Sequence, residues 1–138
     1  MLLAALDLGA RVAGLVGIAP APDFTEWGFD EGEKAALERG QTIFEDNPYG
    51  PEPTPTHARF WTDGQQNLLL GGEIALTCPV RLLHGQADPD VPWEVSLRLA
   101  AALRSTEVQV TLIKDGDHRL SREGDIAVLL ARIDEIAG

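Results

Sequence analysis

One cysteine, Cys78, stands in 138 residues. It has no partner for an internal disulfide, and no Cys/His pair has zinc-finger spacing, so no metal is expected. A lone thiol fits a reducing compartment, and the expected setting is cytoplasmic. Basic residues are scarce: 11 Lys and Arg face 22 Asp and Glu, a net charge of 11 − 22 = −11. Nucleic acid, whose phosphates need clustered Lys and Arg, is excluded as a partner. Electrostatic docking on an anionic membrane is disfavoured for the same reason. No apolar run reaches the roughly 20 residues a spanning helix needs. No basic stretch precedes the apolar start, so the first residues do not read as a signal peptide. Repeats and low-complexity tracts are also missing. What is present is a 44% apolar composition on a chain of one-domain length. That suffices for a buried core and excludes a disordered acidic tail.

Met1 to Leu6 is helix-forming, and Asp7-Leu8-Gly9-Ala10 ends it, with Gly9 as a left-handed cap. The usual Ser, Thr, Asp or Asn ahead of the first turn is missing. The helix either frays at the start or begins inside an element whose first turn lies upstream. Val12 to Ala19 is a short apolar run bounded by turn signals, as expected of a strand buried on both faces. Pro20 and Pro22 stop it. Residues 23–77 change character and read as an excursion that leaves the sheet and returns. They carry Trp27, Phe29, Phe44, Tyr49, Phe60 and Trp61 beside Pro48, Pro51, Pro53 and Pro55. Within them, Glu31 to Asp46 reads as an amphipathic helix, the proline cluster as a loop, and Thr56 to Leu70 as a second helix.

Regular alternation resumes at Cys78-Pro79. Val80 to His84 is a strand, Gly85 to Asp90 a loop, and Pro92 opens a helix with Val95, Leu99, Ala102 and Leu103 on one face. Val108 to Ile113 is the next strand and Lys114 to Leu120 the next loop. Ser121 should cap the last helix, with Glu123 and Asp125 in its first turn, where the helix dipole favours acids. That helix carries an apolar stripe of Ile126, Leu129, Leu130, Ile133 and Ile136. Strand–helix alternation of this kind predicts an α/β fold, a parallel sheet covered on both faces.

In such sheets, reactive groups collect in loops at the carboxyl ends of strands. Two loops qualify: His84-Gly85-Gln86-Ala87-Asp88-Pro89-Asp90-Val91-Pro92 and Asp115-Gly116-Asp117-His118. An imidazole exchanges a proton near neutral pH, and a carboxylate on its other nitrogen fixes the tautomer. By spacing alone, an Asp and a His in loops serve equally as turn formers. Together the two loops resemble the carboxyl-terminal half of an α/β-hydrolase. The match falls on His84, Gly85, Asp88, Val91 and Pro92, then on Gly116, Asp117 and His118. The resemblance implies that Asp88 is the acid and His118 the base of a catalytic triad. It further implies that Val12 to Pro22 holds the strand before a helical lid, with residues 23–77 as the lid. Pro79 to Gly85 and Thr111 to Ser121 are similar to a narrower branch, the mitochondrial acyl-protein thioesterase and acyl-glucuronide hydrolase with its bacterial relatives. A bacterial rather than organellar member is expected.

The departure from the family is as telling. Its nucleophile sits in a Gly-x-Ser-x-Gly elbow, and this chain has only Ser96, Ser105 and Ser121, none flanked by glycines. The elbow serine is therefore expected upstream of Met1, in a chain that is truncated or mis-started, and the 138 residues alone should be inactive. Asp90 rivals Asp88 as acid. Asp117 adjoins His118, and neighbours in an extended loop diverge. His84 orders its loop, His57 is solvated, and Cys78 packs at a strand entrance. Trp27, Phe29, Phe60 and Trp61 either pack the insertion or line an acyl pocket. Two classes of function follow: a serine hydrolase of small-molecule acyl esters or thioesters that needs no cofactor, or a non-catalytic α/β binding or interaction domain. Oligomeric state is left open.

Overall fold

Three apolar runs become the strands of one parallel sheet: β1 (Leu15–Ile18), β4 (Val80–Gly85) and β5 (Val108–Ile113), in the order β1-β4-β5. This computed structural model describes residues 1–47 and 50–138; Pro48 and Tyr49 lie outside the described residues. The chain divides into two units, residues 1–22 with 69–138, and residues 23–68.

In the sheet unit, β4 is central and every one of its residues is buried. A strand covered on both faces has no polar side, which is why Val80-Arg81-Leu82-Leu83 shows so little alternation. On one face, α1 (Leu2–Leu8) and α5 (Glu94–Ala102) contribute Leu2, Ala5 and Leu99 to a core with Leu15, Val80 and Leu82. On the other, Arg81 reaches Glu135 of α6 (Glu123–Ala137), with Nε donating at 2.9 Å, and also Glu107 at 3.0 Å. The buried guanidinium is thus paired on two sides, which holds its proton more tightly than usual. Helix α1 runs to Leu8, two residues past the expected end, and Gly9 follows with a φ of 56°.

The last helix departs from expectation at its start. Arg122, not Ser121, occupies the N-cap, and no side-chain cap bond is made there. Asp125 in the first turn instead pairs with the Arg122 guanidinium, Nε donating to Oδ2 at 2.7 Å and Nη2 to Oδ1 at 2.9 Å. The apolar stripe is also less covered than its pattern suggests. Ile126, Leu130 and Ile133 remain exposed, while Asp125 is buried.

In the unit of residues 23–68, α2 (Phe24–Trp27) precedes α3 (Glu31–Glu38), which stops eight residues short of the expected Asp46. Asp30 and Glu33 form a reciprocal capping box at its start. At its end, Gly40 has a φ of +80°, its N–H donates to Leu37 O, and Gln41 N–H donates to Ala36 O. This Schellman turn closes the helix, and the β-branched Thr42-Ile43 then extends. Strand β2 (Ile43–Glu45) pairs antiparallel with β3 (Thr54–Thr56), followed by α4 (Ala58–Gln66). The expected insertion boundary at residue 77 moves back to 68. Ile74 and Leu76 are buried in the sheet unit's core, and Ile74 exchanges backbone hydrogen bonds with Ala102 and Arg104. Two apolar anchors and a ladder contact bind 69–77 to the sheet.

Candidate active site

Strands β4 and β5 pair in register from Val80↔Val108 to Gly85↔Ile113, so their carboxyl ends finish level. The ladder continues one step beyond them: Gln86 N–H donates to Ile113 O, and Ala87 N–H to Gly116 O. The two loops touch backbone to backbone there. A Cβ at Gly85 would land on the Gly116 carbonyl and within 2.5 Å of the Asp117 carbonyl oxygen. One at Gly116 would lie 3.0 Å from Gly85 Cα. Both motif glycines are therefore steric requirements for bringing the loops together.

Each loop then aims its functional side chain with the same device. Asp88 Oδ1 accepts the backbone N–H groups of Asp90 (2.8 Å) and Val91 (3.0 Å), closing a tight turn. Asp117 Oδ1 accepts those of Arg119 (3.1 Å) and Leu120 (2.9 Å), and Leu120 is held at a φ of 46°. Both turns use Oδ1 alone, so the turn bonds do not decide which carboxylate meets His118. The carboxylate that meets it is Asp88, whose Oδ2 accepts from His118 Nδ1 at 2.8 Å. Asp90 gives its backbone N–H to Asp88 and has an exposed side chain, so the hydrogen bond to the imidazole is made by Asp88.

The pair is asymmetric in exposure. The Asp88 side chain is 1% exposed and that of His118 40%. Burial pushes the Asp88 carboxyl up, but the hydrogen bonds from Val91, His118 and Asp90 together outweigh it and hold the group below the ordinary carboxylate range. Asp88 is thus a charged acceptor, so His118 Nδ1 must carry a hydrogen. In the neutral ring this leaves Nε2 as an accessible base. Among the described residues, Asp88, Asp90 and His118 are the group whose ligand atoms fall within 4.8 Å of one another. It fits a metal poorly, because both Asp88 oxygens already face protein donors.

A second histidine lies behind the first. His84, in β4, is fully buried; Nδ1 lies 2.7 Å from Ser96 Oγ, and Nε2 lies 3.0 Å from Val91 O and 3.3 Å from Asp88 Oδ2. Ser96, His84 and Asp88 thus form a serine–histidine–aspartate line, yet Ser96 and His84 are wholly enclosed, where no acyl carbonyl can reach. Ser96 was not singled out by its sequence. Its signal was a hydroxyl on the apolar face of α5, between Val95 and Leu99. Ser105 Oγ accepts from Glu107 N–H at the entrance to β5.

The four aromatics of residues 23–68 separate. Phe29 and Trp61 are buried with Leu37 in that unit's own core, and Trp61 Nε1 donates to Thr25 O at 3.0 Å. Trp27 is half-buried, and Phe60 is exposed, its ring 5.7 Å from that of Phe24. Cys78 is half-buried with a free thiol, and His57 is exposed with Nδ1 3.0 Å from Thr42 Oγ1.

A parallel sheet with a paired aspartate and histidine in the loops at its carboxyl end is the fold of the α/β-hydrolase superfamily, of which the chain carries the carboxyl-terminal half. Within it, the chain matches the branch of the mitochondrial palmitoyl-protein thioesterase ABHD10. It is 36% identical to that protein of Mus musculus over 142 residues, covering 99% of this chain and 47% of the relative. The Homo sapiens protein is 33% identical over 140 residues, covering 99% and 46%. The solved structure of α/β-hydrolase domain-containing protein 10 from mouse superposes with a TM-score of 0.85 at 34% identity, covering 99% of this chain and 56% of that one. The chain therefore spans about half the length of the relatives it matches. No family model matches. Among the described residues, no helix is long and apolar enough to cross a membrane.

Proposed function

We propose that this chain supplies the acid and base of a serine hydrolase acting on carboxylic esters or thioesters. The observation that carries the reading is the 2.8 Å bond from His118 Nδ1 to the buried Asp88 Oδ2, with the imidazole partly open to solvent. In the proposed reaction, a serine hydroxyl attacks the acyl carbonyl while His118 Nε2 takes its proton. The alcohol or thiol leaves with that proton, and water, deprotonated by the same nitrogen, releases the acid. Asp88 keeps the proton off Nε2 beforehand and stabilises the imidazolium once it forms.

The nucleophile is not one of this chain's serines. Ser96 is enclosed against His84, Ser105 accepts from Glu107, and Ser121 lies outside any strand-to-helix elbow. The proposed nucleophile is a serine in a Gly-x-Ser-x-Gly segment outside these 138 residues. The relatives named as palmitoyl-protein thioesterases favour an acyl thioester as substrate.

The test compares two proteins on p-nitrophenyl esters and acyl thioesters: the 138-residue chain, and the chain extended to include a Gly-x-Ser-x-Gly segment. The short chain should show neither burst nor saturable turnover. The extended one should turn over, and His118→Ala should abolish this. Turnover by the short chain that depends on His118 would assign the nucleophile to Ser96, Ser105 or Ser121 and overturn the reading. Inactivity of the extended protein, with the fold intact, would favour a binding domain.

A further inference from the structure

We propose that His84 is a positioning residue for the acid: with Ser96 it forms a buried clamp that aims Asp88 at His118. The inference rests on the reading of Asp88 and His118 as acid and base. It assigns a task to two enclosed polar side chains that the proton transfer itself does not use.

The hydrogen-bond pattern dictates how the clamp works. Val91 O can only accept, so the hydrogen of the His84 ring stands on Nε2. In the neutral imidazole, Nδ1 is then an acceptor, filled by the Ser96 hydroxyl at 2.7 Å. Ser96 comes from α5 and His84 from β4, so the ring is gripped between helix and sheet. Its Nε2–H closes on the far end of the very turn that Asp88 Oδ1 closes from the near end, since Val91 N–H is bound by Asp88 and Val91 O by His84. The same nitrogen stands 3.3 Å from Asp88 Oδ2, the oxygen that binds His118. The Oδ2 atom thus has a polar N–H edge on its buried side and the catalytic imidazole on the other.

A core-packing role and a clamp role predict opposite orders of tolerance. Leucine at position 84 keeps apolar volume but removes the donor, leaving Val91 O without its partner. Glutamine disturbs the packing but returns an N–H at about the reach of Nε2. The readout is the tautomer ratio of His118, measured by long-range nitrogen–proton NMR on the 138-residue chain with uniform nitrogen labelling; it needs no turnover. The parent should hold His118 as the Nδ1–H form. His84→Leu should lower the Nδ1–H to Nε2–H ratio by about three- to tenfold, as expected when a charge-assisted hydrogen bond loosens without breaking. His84→Gln should restore most of it.

Ser96→Ala is the second variant, and it removes one oxygen without opening the core. It should shift the His84 Nδ1 resonance and move the His118 ratio part of the way, so the clamp remains testable if His84→Leu does not fold. A His118 ratio unchanged in Ser96→Ala and in folded His84→Leu overturns the inference. So does a ratio that His84→Leu preserves and His84→Gln loses. Either result leaves the hydrolase reading standing. Conversely, an inactive extended protein leaves the tautomer measurement valid.

Discussion

Gly85→Ala would add one methyl group where two loop backbones meet. The new carbon would fall on the Gly116 carbonyl and 2.5 Å from that of Asp117, and neither is the far end of a flexible side chain. Relief must come from separating the loops by about 1 Å to regain ordinary van der Waals distance. Overpacking of this kind costs about 1–3 kcal/mol, and the 3.0 Å bond from Ala87 N–H to Gly116 O, worth about 1 kcal/mol, stretches with it. The expected loss is about 2–4 kcal/mol. The same displacement carries the 2.8 Å bond between Asp88 and His118 beyond hydrogen-bonding distance, so the His118 Nδ1–H resonance should vanish. Urea denaturation gives the stability and NMR the pairing. Gly124→Ala is the internal control: it lies in the first turn of α6 with nothing within 4 Å of the added carbon. It should stabilise by about 0.4–1 kcal/mol. A Gly85→Ala protein within about 0.5 kcal/mol of the parent, or one that keeps the His118 signal, would refute the steric account of the loop junction.

Asp88→Asn in the extended, active protein should lower kcat by about 10⁴, the scale seen when an amide holds a catalytic imidazole in the wrong tautomer; steady-state kinetics on an acyl thioester measure it. Asp88 is held below its ordinary range in the fold, so its contribution to stability is fully present above the unfolded value near about 4 and is lost as pH falls through the folded value. Urea midpoints at pH 7 and pH 3 should therefore differ less in Asp88→Asn than in the parent. Arg81→Ala leaves Glu107 without its cation and Glu135 with Arg132 alone, and strips a buried stem; it should cost about 2–4 kcal/mol, discounted because both carboxylates are partly solvated. Arg81→Met keeps the stem's packing and should cost less, a difference that thermal unfolding of the two variants resolves.

Local pattern carried much of this protein by itself. The apolar runs at Leu15–Ile18, Val80–Gly85 and Val108–Ile113 are strands because a parallel sheet buried on both faces admits little else, and their turn-rich borders mark where they stop. The loops after β4 and β5 stand out in the sequence by their titratable residues, Asp88 and His118 among them. What a linear pattern cannot hold is pairing across a distance. Asp88, Asp90 and Asp117 are alike as residue types; the level ends of β4 and β5 and the bare backbones of Gly85 and Gly116 decide which of them meets His118. Asp117 Oδ1 closes its own turn as Asp88 Oδ1 does, a likeness that shows only in three dimensions. Helix α3 ended early at Gly40 because a Schellman turn outranks the amphipathic pattern beyond it. Residues 69–77 left the insertion because Ile74 and Leu76 find their burial against the sheet. The same holds for His84 and Ser96. Each is an ordinary polar residue in a strand or helix, and only the packing of α5 on β4 encloses them together behind Asp88.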